Sequence, residues 1–411
     1  MTTTSPTSNR RYDLDWLRVL LILAVFFFHL SRFFDNDFWH VKNGTTYPFV
    51  NVVIAYVGSW LMPLIFIASG ASLFLMMGKG SGARSGSGAR PGGFAAFFKD
   101  KSLRLLVPLL VGIFSHIMFQ VYLEKVSHHL FYGSFWQFIP QYFHGWYGLG
   151  GNFAWMGLHL WYLLMLFVFT LAAYPLFILL RGPARRVLDA FTRFLALPGA
   201  MYLLAIPTVL SVVFIDPQSL LGRRDWGGWS IASHFWFFFA GFVIISSNAL
   251  QGRVKRWRWM STALGLIALG GLLAIYLRFG EPRFGTDGWQ LFWGTMGLLS
   301  WAWMLAFLGH GMRRLTFNTP FLRYANEAVL PFYILHQSVL LTVGYVVVQW
   351  PIPDLAKFFF IGVVTFAIIM ILYEFAIRRH NVLRFLFGMR LLPRQTAPAA
   401  SRVIGRPAPG I

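Results

Sequence analysis

Residues 14–29 read Leu14-Asp15-Trp16-Leu17-Arg18-Val19-Leu20-Leu21-Ile22-Leu23-Ala24-Val25-Phe26-Phe27-Phe28-His29, an apolar run that carries one arginine and one histidine. An α-helix advances about 100° per residue, so positions eleven apart return to within roughly 20° of the same face and lie about 16 Å apart along the axis. Arg18 and His29 are therefore predicted to share one stripe of a membrane-spanning helix. Ionisable side chains inside a membrane usually face a protein interior or a wet cavity, so this pair indicates a polar path through the protein.

The composition places the rest of the chain in the membrane as well. It is 57% hydrophobic and only 12% charged over 411 residues, with repeated apolar runs long enough to cross a bilayer. We predict an all-α, polytopic helix bundle with ten spans near 16–34, 51–77, 103–123, 158–180, 197–215, 230–247, 259–277, 288–309, 326–349 and 355–377. The first run is long and flanked by charge, so it predicts a retained span and not a cleaved signal peptide. The absence of cysteine excludes disulfides, thiolate metal ligands and a cysteine nucleophile.

The basic residues predict the orientation of these spans, because cytoplasmic loops accumulate Lys and Arg. All but eight of the 35 Lys and Arg residues fall in the segments on one side of the ten spans. The other side holds Arg32, Lys42, Lys125, Arg223, Arg224, Arg278, Arg283 and Lys357. Both termini are therefore predicted to be cytoplasmic. Topology and contact with anionic membrane lipids account for most of the net charge of +21, and no soluble basic face indicates nucleic acid as a partner.

Three regions flank or interrupt the predicted membrane domain of residues 16–377. Residues 1–15 form a cytoplasmic N-terminal segment, residues 78–98 a flexible cytoplasmic linker, and residues 378–411 a basic, partly disordered cytoplasmic tail. The outer loop 124–157 is rich in Trp, Tyr and Phe. Such residues are typical of a membrane-interface belt, but the loop could also cap the bundle and offer aromatic faces to a sugar ring.

The first span resembles the opening signature of the membrane-bound acyltransferase-3 family: Leu14-Asp15-Trp16-Leu17-Arg18, ten intervening residues, and His29. The similarity continues in 101–108 (Lys-Ser-Leu-Arg-Leu-Leu-Val-Pro), 159–163 (His-Leu-Trp-Tyr-Leu) and 331–337 (Pro-Phe-Tyr-Ile-Leu-His-Gln). These last features are most similar to the glucan biosynthesis branch of the family. One departure is Lys101, where arginine is common, because lysine keeps the charge but loses the bidentate geometry.

The resemblance implies transfer of an acetyl or succinyl group from cytosolic acyl-CoA to a hydroxyl of a periplasmic or cell-envelope glycan, in a bacterial inner membrane. Arg18, Lys101 and Arg104 would then bind the phosphates of the donor. His29 would be the general base, because neutral imidazole accepts a proton readily near neutral pH, and direct transfer is favoured over an acyl-histidine intermediate. Asp15 is predicted to cap the first helix or to orient Arg18.

Supporting roles are open for His159, Glu327 and His336. His159 and His336 belong to segments that carry the similarity, and Glu327 lies a few residues before the second of these segments. Glu327 is also predicted near a helix start, where a carboxylate favours the helix dipole. The intramembrane histidines other than His29 are typical of packing or interhelical hydrogen-bonding groups. No histidine pair has ligand spacing on a helix, so we predict no metal site.

A different class of function also accounts for a polar stripe. Arg18 by itself is typical of a snorkelling topology anchor, and together with His29 it could line the path of a proton-coupled transporter for an anion or a lipid-linked sugar. The expected sign of such a transporter is a pair of inverted repeats with matching broken helices, and the sequence contains no convincing pair.

The sequence also bears on the identity of the acyl group. A succinyl donor would favour an extra cation near His29, for which Arg32 is a candidate.

Overall fold

The computed structural model describes residues 10–78, 93–280 and 282–393, and this part of the chain is helical without a β-strand. Its α-helices are α1 (Tyr12–Ser31), α2 (Pro48–Gly78), α3 (Gly93–Lys101), α4 (Val107–Ile113), α5 (His116–Ser127), α6 (Phe135–Tyr142), α7 (Trp161–Arg181), α8 (Arg185–Leu195), α9 (Ile206–Phe214), α10 (Ile231–Ser246), α11 (Asn248–Arg256), α12 (Arg258–Phe279), α13 (Asp287–Arg314), α14 (Pro320–Val347), α15 (Asp354–Ile371) and α16 (Asn381–Leu386). Two π-helical turns, Ser102–Leu106 and Leu372–Ile377, and two 3₁₀ turns, Leu158–Leu160 and Ala200–Ala205, connect neighbouring helices. The predicted all-α membrane bundle is confirmed.

Eight helical segments in the described residues are long and apolar enough to cross a membrane. They are Tyr12–Ser31, Pro48–Met77, Gly93–Ser127, Leu158–Arg181, Arg258–Phe279, Asp287–Arg314, Pro320–Val347 and Asp354–Ile377. Two further pairs, α8 with the helical segment Ala200–Phe214 and α10 with α11, bend by 113° and 103° at their breaks. The described residues therefore contain eight candidate spans, or ten if each bent pair counts as one. The predicted spans 197–215 and 230–247 fall on these two bent pairs.

Helix α1 lies in the interior of the bundle and positions both residues of the predicted stripe. It packs against α2, α13, α14 and α15, and seven of its apolar side chains are buried, among them Leu17, Leu21 and Phe26. The helix is continuous from Tyr12 to Ser31, so it also includes residues 12–15 of the predicted N-terminal segment. Arg18 and His29 are therefore held on one unbroken helix.

Two glycines allow the closest helix pair, α2 and α10, to approach each other. A Cβ atom on Gly70 would lie 1.8 Å from the carbonyl oxygen of Phe238, and one on Gly241 would lie 2.0 Å from that of Ile67. Small residues let helix backbones approach closely inside a membrane, where van der Waals packing takes the place of the hydrophobic effect. This contact fixes α2, which contributes one wall of the site described below.

The linker and tail are more ordered than predicted where the structure describes them. Residues 93–98 belong to α3, because Phe97 is buried and stacks on Tyr174 with ring centroids 4.2 Å apart. In the tail, α16 docks through Arg384, which is 5% exposed. The remaining linker residues 79–92 and the tail residues 394–411 lie outside the described residues.

The aromatic loop is a folded segment on the end of the bundle where α1 ends. Within it, Ser134 and Gln137 form a capping box that starts α6. Phe138 and Tyr142 are buried, and the Tyr142 hydroxyl donates a hydrogen bond to the carbonyl of Ile113 at 3.0 Å. Burial raises the pKa of Tyr142 to about 12, so this hydroxyl stays protonated and keeps donating at neutral pH. One face of the loop is thus tied to the bundle.

Candidate active site

A cavity of about 950 Å³ lies at the end of the bundle where α1 begins, which we call the basic end. In the described part of the chain its wall contains eight basic residues: Arg10, Arg11, Arg18, Lys101, Arg104, Arg323, Arg384 and Arg390. Only two acidic residues, Asp15 and Glu327, line it as well. The fold thus brings five of the predicted site residues to one cavity: Arg18, Lys101, Arg104, Asp15 and Glu327. Its charge suits a polyanionic ligand.

Arg18 is oriented by contacts on two helices. Its guanidinium donates a hydrogen bond to the hydroxyl of Ser72 on α2, and its Nη1 lies 3.4 Å from Oδ1 of Asp15. The other Asp15 oxygen accepts a hydrogen bond from Arg10 at 2.7 Å. The prediction that Asp15 caps α1 is wrong, because the N-cap is Arg11 and Asp15 lies inside the first turn. The structure shows the alternative instead, a contact between Asp15 and Arg18.

A π-helical turn presents Arg104 to the cavity. The turn spans Ser102–Leu106, and the side-chain nitrogen Nε of Arg104 lies 3.1 Å from Asp100. A π turn inserts an extra residue into the helix, which redirects side chains and is frequent at functional sites. Lys101, one residue before the turn, has its ammonium 5.7 Å from the centre of the Phe97 ring. The turn ends at Leu106 and α4 begins at Val107. Pro108 follows, and its lack of a backbone N–H is tolerated at the start of a helix.

Glu327 has a different setting from the one predicted. Helix α14 begins at Pro320, so Glu327 lies beyond the first turn, where the helix dipole has little effect. Its carboxylate instead lies 2.9 Å from Arg384 and 3.7 Å from Arg378. The helix-dipole interpretation is therefore wrong. Glu327 joins the cavity wall to the start of the tail.

A histidine pair marks the other end of the predicted stripe. The Nδ1 atom of His29 lies 2.8 Å from Nε2 of His336, and Nδ1 of His336 lies 2.5 Å from the carbonyl oxygen of Tyr333. A carbonyl only accepts, so Nδ1 of neutral His336 carries the proton and its Nε2 is an acceptor. His29 must then donate from Nδ1. The unprotonated, basic nitrogen of His29 is Nε2, which this chain of hydrogen bonds leaves available.

His159 and two polar residues extend the pair into a cluster. The ring of His159 lies 5.0 Å from that of His336, its Nε2 donates to the carbonyl of Ile334 at 3.1 Å, and Gln120 donates to its Nδ1 at 3.4 Å. Gln120 also donates to Ser338 on α14. The predicted residues His29, His159 and His336 therefore meet in one place. Among the described residues, no group of three His, Asp or Glu side chains has the geometry of a metal site.

The cavity and the histidine cluster meet at Tyr333. This residue lines the cavity, its carbonyl holds His336, and its hydroxyl donates to the carbonyl of His159. On α1 the cavity wall ends at Ile22, about 10 Å along the helix from His29. Arg18 thus lines the cavity and His29 belongs to the histidine cluster, and Tyr333 contacts both.

Sequence reasoning missed Ser72, Gln120, Tyr333 and Ser338. Tyr333 lies within the quoted segment 331–337 and Ser338 follows it directly, so the resemblance could have drawn attention to both. The signal of Ser72 and Gln120 is weaker, because polar residues in apolar runs often only satisfy local backbone groups. Arg32, the candidate for binding a succinyl carboxylate, lies 2.6 Å from Asp35 and 3.3 Å from Asp37. Its charge is therefore already matched by two carboxylates.

Comparison with known proteins identifies the class to which this arrangement belongs. The family model described as an acyltransferase domain, acyltransferase-3, matches residues 11–374. The chain is also 24% identical to glucans biosynthesis protein C of Salmonella paratyphi B and of Salmonella enteritidis PT4, covering 96% of this chain and 99% of each relative. The Salmonella heidelberg protein of the same name is 23% identical with the same coverage. No solved structure matches. Because the family model covers most of the chain, including both ends of the polar stripe, the chain belongs to the acyltransferase-3 family of membrane acyltransferases.

Proposed function

We propose that this protein transfers an acyl group from acyl-CoA to a hydroxyl of a periplasmic or cell-envelope glycan, with His29 as the general base. The observation that carries the proposal is the chain of hydrogen bonds from His29 through His336 to the carbonyl of Tyr333. It orients a basic nitrogen on the helix that also carries Arg18.

The basic cavity supports acyl-CoA as the donor. Acyl-CoA carries several phosphate charges at one end and its thioester at the end of a long pantetheine arm. Arg18 and Arg104 offer guanidinium groups that can bind two phosphate oxygens at once, and Lys101 adds a point charge. The axial distance of about 16 Å from Arg18 to His29 is comparable with the length of an extended arm. In this scheme the arm passes Tyr333 to reach the histidines.

The proposed reaction is direct transfer. Nε2 of His29 takes the proton of the acceptor hydroxyl as that oxygen attacks the thioester carbonyl. The new C–O bond forms, the C–S bond breaks, and the leaving thiolate takes the proton back from His29. Hydrogen bonding to His336 keeps a proton on Nδ1 of His29, so Nε2 is free before the acceptor binds and again after the thiolate has taken the proton.

The acceptor side rests on the relatives and on the predicted orientation. The curated relatives are named for glucan biosynthesis, and from the positive-inside pattern of the sequence we expect His29 in the outer half of a bacterial inner membrane. A glycan with free hydroxyls in the periplasm or cell envelope is the class of acceptor that this placement favours.

The test is acyl transfer by purified protein in vesicles, supplied with labelled acetyl-CoA or succinyl-CoA and a glucan. His29→Ala is expected to abolish transfer, and Arg18→Ala to raise the KM for acyl-CoA. His234→Ala is the matched control, because this buried histidine on α10 bonds to the carbonyl of Trp226, away from the cluster. Label that reaches the glucan equally well without His29 would contradict the proposal. So would a protein that consumes neither donor but moves a solute across the vesicle membrane, which is the transporter outcome.

A further inference from the structure

Trp39 lies against the proposed base, although it belongs to the segment between α1 and α2. Its ring stacks on the imidazole of His29, with centroids 5.4 Å apart and planes inclined by 18°. His29 therefore has one imidazole neighbour, His336, and one indole neighbour, Trp39. Trp39 is thus a direct neighbour of the proposed base.

The indole N–H of Trp39 is buried and has no hydrogen-bond partner among the described residues. An indole nitrogen can only donate, so no tautomer or protonation change removes the need for an acceptor. Leaving such a donor unpaired costs about 1–3 kcal/mol. An unpaired buried donor calls for an explanation, and a catalytic role is one of those that a position beside a proposed base favours.

Several contacts hold Trp39 in place. The guanidinium of Arg32 lies 5.3 Å from the centre of its ring, and His128 donates to its backbone carbonyl at 2.8 Å. The next residue, His40, is hydrogen-bonded to the buried carboxylate of Glu124. The donor is thus fixed by elements on both sides of the outer end of the bundle.

Glu124 is in turn anchored to the aromatic loop. The hydroxyl of Tyr147 donates to the same carboxylate oxygen at 2.6 Å. Burial and the neighbouring carboxylate raise the pKa of Tyr147, so it stays protonated and keeps donating. The segment that carries Trp39 is therefore attached to the loop through a buried carboxylate.

Three other tryptophans with unpaired, buried N–H groups provide a comparison: Trp60, Trp293 and Trp303. The ring neighbours of Trp60 are Tyr56 and Phe307. Trp293 and Trp303 likewise contact aromatic rings, and Trp293 also the guanidinium of Arg224. Within the described part of the chain, Trp39 is the member of this group whose ring stacks on a histidine. An unpaired indole N–H alone therefore does not indicate a catalytic role. What distinguishes Trp39 is its position beside His29.

We propose that the N–H of Trp39 donates a hydrogen bond to the thioester carbonyl oxygen as negative charge develops on it during acyl transfer. This role rests on the proposed function and adds the oxyanion-stabilising group that the reaction requires. Such donors are pre-oriented in a site of low dielectric, where they stabilise the transition state more than the ground state. No bond to Trp39 forms or breaks.

The test compares Trp39→Phe with Trp60→Phe in the vesicle assay. Phenylalanine keeps an aromatic ring beside His29 but removes the donor, so kcat is expected to fall by about 10²–10³-fold, the usual cost of losing one oxyanion donor. The KM for acyl-CoA and the thermal stability should stay unchanged, and Trp60→Phe should match wild type. A second form of the protein carries at position 39 the tryptophan analogue with sulfur in place of N–H. This analogue preserves the shape of the ring, and its kcat should fall by the same factor as that of Trp39→Phe.

The outcomes separate this role from the proposed function. Wild-type kcat in Trp39→Phe, with transfer still dependent on His29, overturns the role of Trp39 alone. A rise in KM or a loss of stability with kcat unchanged also overturns it, because the ring would then only pack. Absence of His29-dependent transfer in the wild-type protein overturns the proposed function and this role together.

Discussion

Replacing His336 with leucine tests the relay on which the proposed mechanism depends. In the structure, Nε2 of His336 accepts the hydrogen bond from Nδ1 of His29 at 2.8 Å. His336→Leu removes this acceptor and nearly preserves the side-chain volume. The Nδ1–H of His29 would then be left unpaired, at a cost of about 1–3 kcal/mol. Alternatively, the proton of His29 would move to Nε2, and Nε2 could no longer accept the proton of the acceptor hydroxyl. A cost of 1.36 kcal/mol per factor of ten predicts a fall in kcat of roughly 5- to 150-fold.

The donor should still bind normally to this variant, because His336 does not line the basic cavity. The assay is therefore steady-state transfer in vesicles with acyl-CoA varied, which separates kcat from KM. His234→Leu is the control, since it removes a histidine of similar burial from α10. Wild-type kcat in His336→Leu, or a defect confined to KM, would refute the relay, as would an equal loss in the control.

The remaining predictions concern the cavity, the contact between α2 and α10, and the end of the bundle where α1 ends. Arg104→Ala should raise the KM for acyl-CoA about tenfold with kcat unchanged, because a charge-assisted hydrogen bond contributes about 1.5–3 kcal/mol. Arg185→Ala removes a similar i,i+4 ion pair outside the cavity and should leave the KM unchanged. Equal effects of the two substitutions would contradict phosphate binding by Arg104. Gly241→Ala should lower the melting temperature in detergent, because its Cβ would lie 2.0 Å from a carbonyl oxygen, whereas Gly252→Ala meets nothing within 4 Å and should be neutral or slightly stabilising. Glu124→Gln removes the carboxylate that is hydrogen-bonded to His40 and Tyr147, so it should destabilise the protein by about 1–3 kcal/mol and speed proteolysis of the aromatic loop. An unchanged cleavage rate would show that the carboxylate does not anchor the loop.

Much of the fold follows from local properties of the sequence. Apolar runs of span length predicted the eight long helical segments, because backbone groups in hydrocarbon must be paired within a helix. The same reasoning placed Arg18 and His29 on one helix, which the structure confirms. It failed for residues 93–98, where burial of Phe97 against Tyr174 stabilises a helix that the glycine-rich segment before it obscured. It also gave no sign of the sharp bends in the two bent pairs.

The sequence by itself thus determined a helical membrane protein with a basic residue and a histidine on one stripe of its first span, since both depend only on composition and on the helical period. Together with the family resemblance, it singled out His29 as the base and left supporting roles open for His159 and His336. Only the tertiary structure decided that His336, 307 residues from His29, is the partner, and that Trp39 stacks on the same ring. The physical reason is that a side chain's partner across a bundle depends on how helices pack, and that packing depends on long-range contacts such as those of Gly70 and Gly241.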